Sequence, residues 1–249
     1  MIQEHSDQNT SDNQPTGYSA DKVFDREKTD AGYKKSAEME RDGMTPIKVW
    51  GYSVGHFNND LCASMWFVYL TYYLIDVVHL PENIAAAAVL SGQFADGIMT
   101  PLVGIFSDMF DTPCGKRTPW YIFGTLFVVP TFLGIFIYPP GITDTNADGT
   151  IKNERLEDAW YITLPALFNV GWASVQISNM SIVNTISKSN RMRDKLSNNR
   201  NGFTSTANIV VLGLATVLFL EVDDRVQQFR ILAIICIVLG CCASFFYLV

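Results

Sequence analysis

Six long apolar stretches limit what this chain can fold into. They run roughly over 49–75, 84–106, 119–138, 159–186, 202–220 and 231–249. A bilayer core about 30 Å thick is crossed by about 20 apolar residues in helical form, and each stretch has that length. A soluble helical bundle would need a polar face on every helix. The segments Ile231–Gly240 and Phe123–Tyr138 have none. The expected fold class is therefore an all-α membrane protein with six transmembrane helices. Residues 48–249 would form the helical domain and residues 1–47 a disordered cytosolic tail. The tail has few large apolar residues and mixed charge, and so cannot build a core. It has no apolar run of the secretory type.

Charge supports the same layout. With the tail side taken as cytosolic, 14 of the 18 Lys and Arg residues fall in the tail and in the loops after the second and fourth spans. The loops on the other side carry Lys152, Arg155, Arg225 and Arg230 and are otherwise acidic. The positive-inside rule then places both termini in the cytosol. A net charge of −7 disfavours nucleic acid as a partner. The five Cys have no regular spacing, so packed thiols are expected instead of a disulfide framework.

Most spans are interrupted by polar residues that recur at helical spacing. The first carries Ser53, His56, Asp60 and Ser64 on one face, with Asn59 beside it. The second carries Gln93, Asp96 and Thr100, and the fourth Asn169, Trp172, Gln176 and Asn179. The fifth carries Ser205 and Asn208 on the face that continues Asn201. Converging polar stripes make a solute cavity, although Ser, Asn and Gln also serve as inter-helix glue, typically worth about 1 kcal/mol or less. An ionisable residue inside a span marks a functional site by default, which singles out Asp60 and Asp96. His56 is either a proton-linked switch or a simple partner of Asp60 one turn away. His56 and Asp60 are the only metal-like pair and lack a third ligand of the usual type, so neither a resident metal nor an enzymatic role is expected. No cofactor is expected either.

Two connections stand out. After the second span, Gly104 and Asp108 are followed by Gly115, Lys116 and Arg117, and the acid can pair with the basic residues across a tight glycine turn. The stretch from Asp144 to Arg155 has the first half of an EF-hand calcium loop but Arg at its twelfth position, which reads as a polar Asx/Gly turn.

The segment Gly55-His-Phe-Asn-Asn-Asp-Leu-Cys-Ala-Ser-Met-Trp-Phe67, with Gly92-Gln-Phe-Ala-Asp-Gly97 and Thr100-Pro-Leu-Val-Gly104, resembles the major facilitator superfamily domain-containing protein 12 group. Gly115-Lys-Arg-Thr-Pro-Trp120 is similar to the signature of the wider glycoside–pentoside–hexuronide cation symporters, which include the melibiose carriers. The resemblance covers about 48–249 and is most specific in the first three spans. It implies the N-terminal six-helix half of a twelve-span major facilitator fold, working by alternating access around a midplane site. It implies a secondary active transporter of a small polar solute, a sugar or an amino acid such as cysteine, in symport with a proton or sodium. Asp60 and Asp96 match family acids, and Arg200 matches an Arg lining the cavity. Thr100, Gln176 and Asn59 stand where melibiose-type carriers have two acids and a basic residue, which argues for proton coupling, or for uncoupled transport, over a sodium site of several carboxylates. On this reading Asp60, Asp96 and His56 couple the cation. Asn59, Gln93, Thr100, Asn169, Gln176 and Arg200 line the cavity, and Gly104, Asp108, Gly115, Lys116 and Arg117 gate the cytosolic side.

The chain stops at Val249, at the sixth span. Three readings of that end are open: a fragment whose C-terminal half is missing, a half that pairs with a second copy, or a non-transporting scaffold or adaptor using its exposed half-interface. The expected location is multi-pass in the plasma or endolysosomal membrane.

Overall fold

The computed structural model describes residues 44–137 and 153–249. The expected tail up to residue 43 and most of the Asp144–Arg155 loop lie outside the described residues. The elements are α1 (Pro46–Val54), α2 (Phe57–Tyr72), a π-helical turn (Tyr73–Val77), α3 (Glu82–Met109), α4 (Thr118–Phe136), α5 (Glu154–Ile186), α6 (Asn190–Glu221) and α7 (Arg225–Leu248).

Local chemistry sets several helix ends. Thr45, Ser189 and Asp224 each accept a hydrogen bond from a backbone N–H of the first turn they precede. Pro46 and Pro119 occupy first-turn positions, where the missing N–H costs nothing. After the π turn, His79 takes a left-handed φ of 62°, and the Leu80 N–H reaches back to the Leu74 carbonyl at 2.9 Å to close the helix end. Pro101, Pro130 and Pro165 lie inside α3, α4 and α5. Interior prolines suit membrane helices because neighbouring helices can satisfy the carbonyls they free.

The packing is organised around α5 and α2. Helices α3 and α4 both run along α5, while α6 and α7 pack against α2 and α1. Small residues allow the closest approach. A Cβ on Gly124 of α4 would stand 2.7 Å from the Gly171 carbonyl oxygen of α5, so the two backbones meet directly there. An aromatic cluster ties the two groups together. The Tyr73 ring lies 5.1 Å from both Phe136 and Phe229, and Phe132 lies 5.0 Å from Phe136 and 5.6 Å from Phe168.

The distribution of polarity is inverted relative to a soluble protein. Buried polar side chains include His56, Asn58, Asn59, Asp60, Asn169, Ser178 and Asn179. Exposed apolar side chains include Phe67, Phe94, Leu126, Ile209, Leu220 and Phe245, each at least 69% exposed. Apolar surface on this scale needs an apolar solvent. Among the described residues, α3, α4, α6 and α7 are each long and apolar enough to cross a membrane. The protein is an integral membrane protein, and its described residues form helices and short connections.

Candidate functional site

The first apolar stretch is not one continuous helix. It breaks at Gly55–His56, between α1 and α2. Ser53 therefore sits across the break from His56, Asp60 and Ser64, and its hydroxyl donates back to the Val49 carbonyl at 2.7 Å. A break inside a membrane exposes backbone groups that must find partners. The Tyr121 hydroxyl of α4 donates to the Gly55 carbonyl at 2.7 Å, and it lies 3.1 Å from the Ser244 hydroxyl of α7. The Tyr121 and Tyr247 rings lie 4.5 Å apart beside it. No periodicity in the sequence pointed to this tyrosine pair. The available signal was chemical: a phenol in an apolar stretch requires a partner.

Immediately past the break, His56 Nδ1 lies 2.8 Å from Asp60 Oδ1, and both side chains are buried. With the proton assigned to Nδ1, the imidazole donates to the carboxylate. Arg200 Nη2 of α6 stands 3.5 Å from the same nitrogen. Asp60 also lies in the first turn of α2, where the helix dipole favours a negative charge. The group holds one carboxylate and one guanidinium, so it is electrically balanced while His56 is neutral. Asp60 Oδ2, His56 Nε2 and Arg200 Nε have no hydrogen-bond partner among the described residues.

A second cluster lies around a cavity of about 270 Å³ between α2, α3 and α5. Gln93, Asp96, Asn169 and Trp172 line it, with Trp66 and Phe168 as aromatic walls. Thr100 donates to Asp96 Oδ1 at 3.0 Å. Asn59 donates to the Trp172 carbonyl at 3.0 Å and so connects this cavity to the Asp60 group along α2. Gly92 permits the arrangement, since a Cβ there would stand 2.6 Å from both the Trp66 ring and the Asn169 amide. Asp60 lies near the middle of the α1–α2 stretch, Asp96 near the middle of α3, and Asn169 and Trp172 near the middle of α5. The stripes thus meet at one level. Gln176 is half-buried with its Oε1 unpartnered among the described residues, and it does not line this cavity. Ser205 and Asn208 face outward from α6.

The α3–α4 connection brings its charges together. Arg117 donates to the Asp108 carboxylate and to the Ser107 hydroxyl. The partners of Lys116 are the Asp108 carbonyl at 3.2 Å and Asp111, 3.4 Å away. Gly115 has φ +89°, a conformation that favours glycine, and its N–H bonds the Thr112 carbonyl to close the turn. Gly104 lies one turn before Asp108 on α3 with open space beside its Cα.

The helices enclose a buried acid, Asp60, and a cavity lined by a half-buried one, Asp96, beneath an apolar exterior. The family model for MFS/sugar transport proteins matches residues 51–249, and the chain belongs to that family. It is 38% identical to human major facilitator superfamily domain-containing protein 12 over 71% of its own length and 36% of the relative's. It is 24% identical to an uncharacterized symporter of Synechocystis, over 71% of this chain and 32% of that one. It is 27% identical to the sodium-dependent lysophosphatidylcholine symporter 1 of Xenopus tropicalis, over 70% of this chain and 28% of the relative. The chain spans about a third of the length of these relatives.

Proposed function

We propose that this chain is the N-terminal half of a secondary active carrier that moves a small polar solute by alternating access, coupled to a proton. The first span is α1, α2 and the π turn read as one broken segment, and α3 to α7 supply the other five. The break and the polar stripe of α5 explain why these two fall below the apolarity of the other four. Both termini and the α3–α4 turn face the cytosol on this reading, which the excess of basic residues on that side supports. The membrane is the plasma or an endolysosomal one, and a second six-helix half completes the pathway.

The observation that carries the proposal is the buried His56–Asp60 pair with Arg200 beside it. A proton added to His56 or Asp60 leaves one positive charge unbalanced in a low-dielectric site. The hold between α2 and α6 then weakens, so loading can bias the two arrangements of the carrier. Asp96 stands on the cavity, and Thr100, Asn59, Gln93, Asn169, Gln176 and Arg200 line the pathway. The Asp108–Arg117 contact, with Lys116 and the Gly104 and Gly115 positions, latches the cytosolic side.

Flux into vesicles tests this reading. The native protein with its second half is reconstituted, a pH gradient is imposed, and labelled cysteine and melibiose are followed. Accumulation of either solute that collapses with a protonophore supports a proton-coupled carrier. Accumulation driven by sodium and indifferent to the protonophore overturns the coupling, and no accumulation of either argues for a scaffold role. The half-carrier reading has its own check. An antibody to residues 1–44 should detect a native band near twice 27.8 kDa.

A further inference from the structure

The two connections on the basic side of the bundle differ in their charge balance. Around the α3–α4 connection, Lys116 and Arg117 meet Asp111 and Asp108. The α5–α6 connection and the start of α6 carry Lys188, Arg191, Arg193 and Lys195 against a single acid, Asp194. Arg193 is fixed by neutral partners, the side-chain oxygens of Asn184, at 3.1 Å, and Asn190. The first turn of α6 has no acid, although the helix dipole favours one there.

Helical spacing sorts the α6 residues into sides. Asp194, Asn201, Ser205 and Asn208 share one side, polar and exposed. Arg191, Lys195, Asn198, Gly202 and Thr206 follow one another in steps of three and four on another, which continues as Ile209, Gly213 and Leu220. Ile209 and Leu220 are 71% and 79% exposed, so this second side meets an apolar solvent beyond its two cations. Met192 and Leu196 are buried and hold the segment against the bundle. Just past Lys195 the second side opens into a groove of about 480 Å³ between α6 and α1. Trp50 of α1, 58% exposed, and Phe203 wall it, their rings edge to face at 5.8 Å. Gly202 leaves it open, since nothing lies within 4 Å of where a Cβ would stand. Asn198 and Asn199 line the part nearer the cations. From Asn198 to Thr206 the groove follows about 12 Å of helix.

Along this side of α6 the order is cations, amides, then an apolar groove. A diacyl phospholipid presents the matching order of phosphate, ester carbonyls and hydrocarbon chains. Amides donate to ester carbonyls, and tryptophan settles at the level of the headgroups. Each Lys or Arg near a membrane surface strengthens binding of an anionic lipid about fivefold. A zwitterionic headgroup brings its own cation against Arg191 and Lys195 and gains less. We infer that the α1–α6 groove holds an anionic phospholipid of the surrounding leaflet as a resident ligand. Its phosphate lies at Arg191 and Lys195, and one chain runs past Gly202, Phe203 and Thr206. The inference is independent of which solute the carrier moves and of how that movement is coupled.

Fluorescence quenching tests the inference. The native protein with its second half is reconstituted in phosphatidylcholine vesicles doped with either phosphatidylserine or phosphatidylcholine carrying brominated chains. The signal is the quenching lost on Trp50→Phe, which isolates the tryptophan of the groove. Brominated phosphatidylserine should reach half-maximal quenching at a mole fraction roughly thirtyfold below brominated phosphatidylcholine, about fivefold for each of two cations. Arg191→Gln combined with Lys195→Gln should erase that preference. Arg225→Gln, at the exposed start of α7, should keep it. Gly202→Leu introduces a side chain from an uncrowded Cβ into the groove and should erase the preference with both cations in place. Equal quenching by the two lipids, no quenching at Trp50, or a preference that survives the double variant or Gly202→Leu would each overturn the inference. So would a preference that inorganic phosphate abolishes, which would mark a site for the free anion.

Discussion

The Tyr121 hydroxyl lies 2.7 Å from the Gly55 carbonyl oxygen, so a residue of α4 holds the break between α1 and α2. Without that bond the carbonyl would be buried with one partner fewer. Leaving a buried acceptor unpaired costs about 1–3 kcal/mol. Tyr121→Phe should therefore lower thermal stability in detergent by that amount. Because the break positions His56, flux should fall as well. An unchanged melting temperature would show that the phenol does not support the break.

Gly92 should tolerate no side chain. A Cβ there meets the Trp66 ring and the Asn169 amide at 2.6 Å, and Trp66 is only 6% exposed and cannot swing away. Gly92→Ala should cost about 1–3 kcal/mol by overpacking. It should also narrow the cavity between α2, α3 and α5, so that flux drops. Thermal unfolding and vesicle flux measured on the same variant check both effects.

The Asp108–Arg117 contact predicts a split between stability and function. Asp108 is 67% exposed, and pairs of that kind contribute about 0–1 kcal/mol. Asp108→Asn should thus barely move the unfolding midpoint, yet slow flux if the pair works as a latch. The charge-swapped double variant Asp108→Arg with Arg117→Asp should recover part of the flux. A double-mutant cycle with zero coupling in the flux rates would remove the latch from the mechanism.

Glu157, in the first turn of α5 ahead of its apolar stretch, makes a pH prediction. Burial pushes its carboxyl up to about 7, with Asp158 and Glu154 adding repulsion. The folded state then holds a proton that the unfolded state has already lost, so stability falls as pH rises from the ordinary Glu value of about 4.3 toward 7. Glu157→Gln should flatten that fall and raise stability above pH 7, on the order of 1 kcal/mol. Unfolding midpoints across that range, wild type against variant, provide the check.

Helix placement was largely legible in the sequence, because the apolar stretches coincide with α3 to α7 and the boundaries differ only where polar turns continue a helix. Helix α6 begins at Asn190, well before its apolar part. Hydropathy could not reveal the break at Gly55–His56. The lipid-facing and protein-facing sides of these helices are both apolar, so the pattern carries little rotational information. For the same reason Trp66 was not expected on the cavity, and Tyr121 and Ser107 were missed as partners. The His56–Asp60 contact was readable because four residues separate the pair, and the Asp108–Arg117 contact because a glycine turn separates its members. The convergence of Gln93, Asp96 and Asn169 needed tertiary structure, since they lie on different helices.

Asp60→Asn tests the central claim most directly. The substitution keeps the shape of the side chain and a hydrogen bond to His56 but removes the carboxylate. Under an imposed pH gradient, the variant should reach the membrane in wild-type amount and show no proton-driven accumulation of solute. Full proton-driven accumulation by Asp60→Asn would contradict the account.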